Sequence, residues 1–289
     1  MINKKINSNL IFKFLCLSVF VLITNCDLDE TQTVANFNNL VMADEFDGLT
    51  LNSDVWAPVD GPALIGNGEL QYYTSRSENI KVEDGLLKII ALEESFEGAA
   101  YTSARIETKG LFEREYGRFE ASIKMPWGQG LWPAFWMLGS ECVENDNFGA
   151  IGWPDCGEID IVEVRGQEPT LVNGSIHGPG YAGGDADFNE GEAVTKVYDL
   201  GNERIDTDFH VYGIEWGKGY INFYVDDVLY NQITPSDDEV TGEWVFDDHP
   251  FFILLNIAVG GNSPGFPSVD TPFPQTMLVD YVRVYQEVE

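Results

Sequence analysis

Short runs that alternate apolar and polar residues cover most of the chain. Phe119, Ala121, Ile123 and Met125 would share one face of an extended segment, because side chains alternate between the two faces of a strand. Further runs rich in β-branched and aromatic residues are 85–92, 209–216, 221–225, 251–259 and 277–285. Gly, Asp, Asn or Pro residues end these runs, and no long stretch shows the apolar spacing of an amphipathic helix. The pattern therefore predicts strands throughout.

Many short strands without intervening helices are typical of one architecture. Helices that alternate with strands would indicate a parallel sheet, whereas consecutive strands separated by turns indicate an all-β sandwich of two antiparallel sheets. The sequence shows neither an internal repeat nor a second linker. We therefore predict a single β-sandwich domain over residues 40–289, preceded by a flexible linker over residues 26–39.

Residues 1–25 have the composition of a signal peptide. Lysines precede the apolar run 14–24, which is too short to span a bilayer. The residues LITNC at 22–26 resemble a bacterial lipoprotein signal, although Asn25 stands where such signals prefer Gly, Ala or Ser. The resemblance implies cleavage before Cys26, lipidation of Cys26 and a location in the bacterial cell envelope, periplasmic or at the cell surface. Plain secretion is the alternative.

The net charge of the chain limits the partners that the protein can bind. The 289 residues include 48 Asp and Glu against 16 Lys and Arg, a formal net charge of −32. This excess repels phosphate backbones and anionic lipid headgroups, so we expect no nucleic-acid partner and no membrane contact except through a lipid anchor. The three histidines and four cysteines lack the spacing of zinc ligands, and no glycine-rich phosphate-binding motif occurs. The composition fits a secreted protein that acts on neutral or cationic partners.

Three carboxylates lie close together in the segment 157–163, which reads GEIDIVE. In a regular strand Glu158 and Asp160 share one face, while Glu163 points to the other face, into the core, where an unpaired carboxylate is costly. One extra residue, a β-bulge near Ile161 or Val162, would return Glu163 to the face of the other two acids. Burial cost therefore predicts a bulge in this strand.

Neighbouring acids on one strand have two interpretations. In the first, the acids are exposed, as a solvated acidic strand or a cation site. In the second, the strand is half-buried, so that burial and nearby carboxylates raise the pKa of one Glu and keep it protonated. The apolar residues between the acids favour the half-buried strand. One protonated and one ionised carboxyl group are what glycoside hydrolysis requires.

The Glu-x-Asp-x-x-Glu pattern with its extra residue resembles glycoside hydrolase family 16, in particular the bacterial endo-β-1,3-glucanases, or laminarinases. The resemblance extends over residues 41–286 and is carried in order by DEFDG (44–48), ELQYYT (69–74), SARI (103–106), LWPAFWML (131–138), GSIHGPGY (174–181), FPQTM (273–277) and VDYVRVY (279–285). It implies a jelly-roll β-sandwich with a substrate cleft on its concave face, and chemistry without a cofactor. Glu158 would be the nucleophile, Glu163 the general acid and base, and Asp160 the hydrogen-bond partner of the nucleophile.

Aromatic side chains are the expected sugar contacts, because sugar rings present C–H faces that pack on indoles. Trp153, which precedes Glu158 by five residues, is the predicted stacking residue beside the cleavage point. Trp132 and Trp136 share a strand face and line either the cleft or the core. The resemblance implies further sugar contacts at Arg105, Asn67, Glu69 and His177. A structural role is the alternative for His177.

Two other features each have a structural alternative. The family resemblance implies a calcium ion held by Glu45, the carbonyl of Gly85 and Asp280, whereas acids in so acidic a chain could equally be solvated or salt-bridged. Cys142 and Cys156 flank a loop rich in Gly, Asp and Asn. Outside the cytoplasm they form either a disulfide or two buried thiols.

The sequence thus predicts a monomeric retaining endo-hydrolase of laminarin-like β-1,3-glucan, a neutral polysaccharide. One alternative keeps the mechanism and changes the polymer to mixed-linkage β-glucan, agar or carrageenan. The sequence has no basic cluster near the carboxylates, which argues against a sulfated polymer. The other is a glucan-binding protein of the same fold without catalysis. Such relatives typically lack one or both catalytic Glu residues, and both are present here.

Overall fold

The computed structural model describes residues 37–63, 67–142, 152–183 and 191–288. Phe37–Glu289 forms one compact unit. The predicted signal peptide, Cys26 and the linker as far as residue 36 lie outside the described residues. The first strand begins at Phe37, whose side chain is buried against the last strand, so residues 37–39 belong to the domain. The predicted end of the linker at residue 39 is corrected accordingly.

Strands provide the regular structure of these ranges. They are β1 (Phe37–Asp44), β2 (Ala57–Pro58), β3 (Gly61–Pro62), β4 (Gln71–Tyr73), β5 (Ile80–Glu83), β6 (Leu86–Phe96), β7 (Ala99–Ser103), β8 (Arg105–Glu107), β9 (Glu113–Arg114), β10 (Gly117–Lys124), β11 (Leu131–Gly139), β12 (Glu158–Glu163), β13 (Leu171–His177), β14 (Val194–Asp199), β15 (His210–Gly217), β16 (Tyr220–Val225), β17 (Val228–Ile233), β18 (Phe251–Val259) and β19 (Gln275–Glu287). The runs predicted from alternation match β6, β10, β15, β16, β18 and β19. In the described part of the chain, no helix is long and apolar enough to cross a membrane.

The strands pair into two sheets. One sheet has eleven strands in the order β17-β16-β15-β10-β19-β6-β7-β4-β3, with β1 beside β19 and β5 beside β6. The other has eight strands in the order β14-β13-β12-β11-β18-β8-β2, with β9 beside β18. Neighbouring strands run antiparallel except β4 and β7, which are parallel. The predicted two-sheet antiparallel sandwich is confirmed, with this one parallel pair.

One apolar core fills the space between the sheets. Phe119, Ala121 and Ile123 of β10 point into it and are fully buried, as their alternation predicts. β18 is buried along its whole length, because its other face carries a second apolar cluster. That cluster consists of Leu138, Cys142, Cys156, Phe252 and Leu254, with Trp136 and Trp153 packed against it. It lies on the outer face of the eight-stranded sheet, where a groove crosses the strands.

Candidate active site

A β-bulge interrupts strand β12, as the sequence predicts. Phe135 of β11 pairs with Val162, and the next residue, Trp136, pairs with Asp160. Ile161 is therefore the extra residue and has no partner in β11. The register with β13 is shifted at the same point. The predicted bulge is confirmed at one of the two positions expected for it.

The bulge brings three carboxylates to one face of the sheet. Ile161 and Val162, although consecutive, are both buried in the apolar core. Glu158, Asp160 and Glu163 all line the groove on the opposite face. Asp160 is 2% exposed at the floor of the groove, whereas the two glutamates are partly exposed. The carboxylate of Glu163 thus lies in the groove, whereas its burial in the apolar core would carry a large free-energy cost.

Each glutamate accepts a hydrogen bond from an indole N–H. Trp153 Nε1 donates to Glu158 Oε2 at 2.6 Å, and Trp132 Nε1 donates to Glu163 Oε1 at 2.7 Å. Trp132 belongs to β11, whereas Trp153 lies in the loop before β12. The Trp153 and His177 ring centroids are 6.0 Å apart. Trp153, predicted to stack on a sugar, therefore also orients the carboxylate of Glu158.

His177 is the hydrogen-bond partner of Asp160. Its Nε2 lies 2.9 Å from Asp160 Oδ2, and its Nδ1 bonds the carbonyl oxygen of Ala182. Burial disfavours the charged ring, but the carboxylates of Glu158 and Asp160 outweigh this effect and raise the pKa of His177 to about 10. The ring is thus an imidazolium at neutral pH and donates to both partners. A sugar hydroxyl could contact His177 only in exchange for one of these bonds.

The pKa of Glu163 suits a proton donor. Burial raises it, the charge of His177 opposes this shift, and the charge of Glu158 adds to it. Burial followed by the charges of Glu158 and Glu163 also raises the pKa of Asp160 well above its ordinary value, while His177 offsets part of this increase. A raised pKa lets a glutamate hold its proton to higher pH, as a general acid must.

On the β11–β18–β8 side, hydrogen-bonded side chains form the floor of the groove. Trp136 Nε1 donates to Asn256 Oδ1 at 2.7 Å, and Asn256 Nδ2 donates to the Tyr73 hydroxyl at 3.1 Å. The Arg105 guanidinium lies 5.1 Å from the centroid of the Trp136 ring and 3.7 Å from a carboxylate oxygen of Glu107. Trp136 and Arg105 therefore present their side chains to the groove from a fixed framework.

Asn67 and Glu69 extend this side of the groove. Glu69 accepts hydrogen bonds from Asn67 Nδ2 at 3.1 Å and from Gln71 Nε2 at 2.6 Å. Gln71 Oε1 in turn accepts from the backbone N–H of Val259 at 2.7 Å, which ties the pair to β18. The structure thus brings together Arg105, Asn67, Glu69, Trp132 and Trp136 as residues that line one groove.

Sequence reasoning missed Gln71, Tyr73 and Asn256. Asn256 carries a detectable signal, because it is the only polar residue in the apolar run 251–259. Gln71 and Tyr73 belong to β4, which is three residues long and too short to show a clear alternation. Their positions depend on the parallel pairing of β4 with β7.

Glu45, one of the residues predicted to hold calcium, has its carboxylate paired with Arg283. Both oxygens of that carboxylate accept hydrogen bonds from the Arg283 guanidinium, each at 2.8 Å. These hydrogen bonds, and to a smaller extent the Arg283 charge, lower the pKa of Glu45 against the opposing effect of burial. A calcium ion would have to compete with this cation, and Asp280 is exposed. For Glu45, the structure supports the salt-bridged alternative.

Cys142 and Cys156 form a disulfide with Cα atoms 5.1 Å apart. The disulfide is buried in the second apolar cluster, against which Trp153 packs. It closes the loop that leads to Glu158, so it holds Trp153 close to the carboxylate that its indole binds. Of the two predicted alternatives, the structure therefore contains the disulfide and not two free thiols.

Replacing both Cys142 and Cys156 by Ala is expected to lower the free energy of unfolding by about 3 kcal/mol, because a disulfide that closes a loop of this length removes that much chain entropy from the unfolded state. Guanidinium unfolding curves of the double variant and of the wild type, the latter with and without reductant, measure this difference. A double variant as stable as the oxidised wild type would contradict a stabilising disulfide.

A β-sandwich whose groove presents paired carboxylates beside a row of tryptophans is the arrangement of a glycoside hydrolase. The chain belongs to the glycosyl hydrolases family 16, whose model matches residues 67–282. The predicted family is therefore confirmed.

Individual relatives agree with this assignment. The beta-glucanase of Rhodothermus marinus is 42% identical over 267 residues, which cover 86% of each chain. Glucan endo-1,3-beta-glucosidase A1 of Niallia circulans is 37% identical, over 86% of this chain and 38% of that protein. The solved laminarinase catalytic domain of Thermotoga maritima is 43% identical with a TM-score of 0.76, over 87% of this chain and 99% of that chain. This similarity confirms the jelly-roll sandwich.

Proposed function

We propose that the chain is a retaining endo-hydrolase of β-1,3-glucan. The observation that carries the proposal is the bulged strand β12, which presents Glu158 and Glu163 to one groove with Asp160 between them. A separate tryptophan orients each glutamate, and burial raises the pKa of Glu163. Double displacement needs such a pair, with one carboxyl group ionised and the other protonated.

The reaction has two steps. First, Glu158 attacks the anomeric carbon while Glu163 gives its proton to the glycosidic oxygen, so the bond to the leaving sugar breaks as a glycosyl-enzyme forms. Next, the ionised Glu163 takes a proton from water, and the resulting oxygen nucleophile displaces Glu158 from the anomeric carbon. Two inversions retain the β configuration. Asp160, bonded to the imidazolium of His177, stays beside Glu158 through both steps.

The lining of the groove suits an uncharged polysaccharide. The indoles of Trp132 and Trp136 offer flat surfaces for sugar C–H faces, and Asn67 and Glu69 offer hydrogen bonds to hydroxyl groups. The net charge of −32 disfavours sulfated carrageenan. The names of the Niallia circulans relative and the Thermotoga maritima structure support β-1,3-glucan over mixed-linkage glucan or agar.

Release of reducing sugar from laminarin tests the proposal. The purified protein should hydrolyse laminarin faster than lichenan, and should leave agarose and κ-carrageenan intact. Proton NMR during the reaction should show the β anomer as the first product. Hydrolysis of another polymer alone would replace the substrate, an α anomer would overturn the retaining mechanism, and binding of laminarin without hydrolysis would favour the glucan-binding alternative.

The N-terminal assignments rest on the sequence. We propose that residues 1–25 are removed as a signal peptide, that Cys26 carries a lipid anchor in the bacterial cell envelope and that the domain is monomeric. Mass spectrometry of the N-terminal peptide from membranes should find Cys26 with a lipid adduct. An unmodified mature N-terminus in the culture medium would instead support secretion.

A further inference from the structure

The sheet face that carries the groove continues past the catalytic strand onto β13 and β14. In adjacent strands, directly paired residues place their side chains on the same face. Glu163 pairs with Asn173 of β13, and Asn173 pairs with Val197 of β14. Ser175 pairs with Thr195 one step farther along. These four side chains therefore share the face that carries the catalytic carboxylates.

Burial along β13 agrees with this orientation. Val172 and Ile176 are buried in the core, and a side chain added at Gly174 would meet the Tyr230 hydroxyl at 2.3 Å. These residues point inward, so the residues between them point outward. Asn173 is partly exposed beside Glu163.

The two sides of the catalytic strand differ in chemistry. The β11–β18–β8 side offers the aromatic rings of Trp132, Trp136 and Tyr73 together with a buried guanidinium, that of Arg105. On the β13–β14 side, the ring of His177 is already bonded to Asp160 and Ala182 beside Trp153. Beyond it, this side offers the Asn173 amide, hydroxyl groups and the aliphatic side chain of Val197, which is 58% exposed.

This asymmetry assigns a direction to the substrate. In double displacement one part of the chain stays bound as the glycosyl-enzyme, while the other part departs so that water can enter. The side with large aromatic contacts suits the retained part, because those contacts hold it between the two steps. The side with small polar contacts suits the departing part.

We propose that Asn173, Thr195 and Val197 form the binding surface for the leaving sugar, here called the leaving-group shelf. This inference rests on the proposed hydrolase function and adds the position of the departing glucosyl unit. Thr195 Oγ1 already bonds Ser175 Oγ at 2.9 Å, whereas Asn173 makes no side-chain hydrogen bond within the described ranges. Asn173 can therefore donate to or accept from a sugar hydroxyl beside Glu163 without breaking an existing bond.

Two kinds of substrate distinguish sugar binding by Asn173 from a purely structural role of this residue. Laminarioligosaccharides place a glucosyl unit on the shelf, whereas an aryl β-laminaribioside places a nitrophenyl group there, which cannot reproduce the hydrogen bonds of a sugar. Asn173→Ala should lower kcat/KM about tenfold on the oligosaccharides, as expected for one lost hydrogen bond, and change it less than about twofold on the aryl glycoside.

Matched variants make the result decisive. Asn67→Ala, on the opposite side of the groove, should lower kcat/KM on both substrates. Asn173→Ser, which keeps a polar group, should lose less than Asn173→Ala on the oligosaccharides. Equal losses of Asn173→Ala on both substrates, or no loss on either, would overturn the shelf. If the wild type cleaves neither substrate, the proposed hydrolase function itself fails, a result distinct from failure of the shelf.

Discussion

Replacing Glu158 by Ala is expected to reduce kcat on laminarin by about 10⁵-fold, because no other group can form the glycosyl-enzyme. Glu158 is the carboxylate oriented by Trp153, and one of its oxygens lies within 4.8 Å of a carboxylate oxygen of Asp160 and of a ring nitrogen of His177. Reducing-sugar assays with a high concentration of the variant would measure the loss. Glu78→Gln, at an exposed glutamate, should keep wild-type activity.

Azide distinguishes the nucleophile from the acid. In Glu158→Ala, a small anion can occupy the vacated space and attack the anomeric carbon once, which inverts its configuration. Added azide should therefore restore part of the activity on an activated aryl glycoside and yield an α-glycosyl azide. A β-glycosyl azide would mean that Glu158 and Glu163 have exchanged roles.

Replacing Glu163 by Ala is expected to reduce kcat/KM on laminarin by about 10³-fold, because the departing sugar oxygen then leaves without a proton. The loss should be small on a dinitrophenyl β-laminaribioside, whose leaving group is stable as an anion. Parallel kinetics on the two substrates provide the measurement. Equal losses on both would contradict the acid role.

The same residue should set the alkaline limb of the pH profile. The first step needs protonated Glu163, so kcat/KM falls as the pH rises through the pKa of that group, which burial raises. Glu163→Ala should lack this limb. Trp132→Phe removes an N–H that lowers the pKa of Glu163, so its alkaline limb should move to higher pH. An unchanged limb in both variants would assign it to another group.

Alternation and burial cost were sufficient to predict the catalytic face. The strand 158–163 contains apolar residues on both sides of Asp160, and only a bulge could keep Glu163 out of the core. Both arguments are local, because they depend on residues adjacent along the chain. This is why the three carboxylates and the bulge follow from sequence.

Contacts between distant segments could not be predicted in this way. Asn256 orients Trp136 across 120 positions of sequence, and Tyr73 reaches Asn256 across 183. The pairing of Arg283 with Glu45 spans 238 positions and changes the interpretation of an acid that resembles a calcium ligand. Such contacts depend on the strand order of the sheets, which alternation does not specify.

The bulge at Ile161 determines which changes in length β12 tolerates. Substituting Ile161 by another apolar residue leaves the number of residues between Glu158 and Glu163 unchanged, so all three carboxylates stay in the groove. Deleting Ile161 would leave Glu158, Asp160 and Glu163 at alternate positions of a regular strand, on the same face as before, whereas inserting one more residue would turn Glu163 towards the core. Apolar substitutions and the loss of the extra residue therefore keep the three carboxylates together, whereas the gain of a residue separates them, so this strand has an upper limit on its length rather than one permitted length.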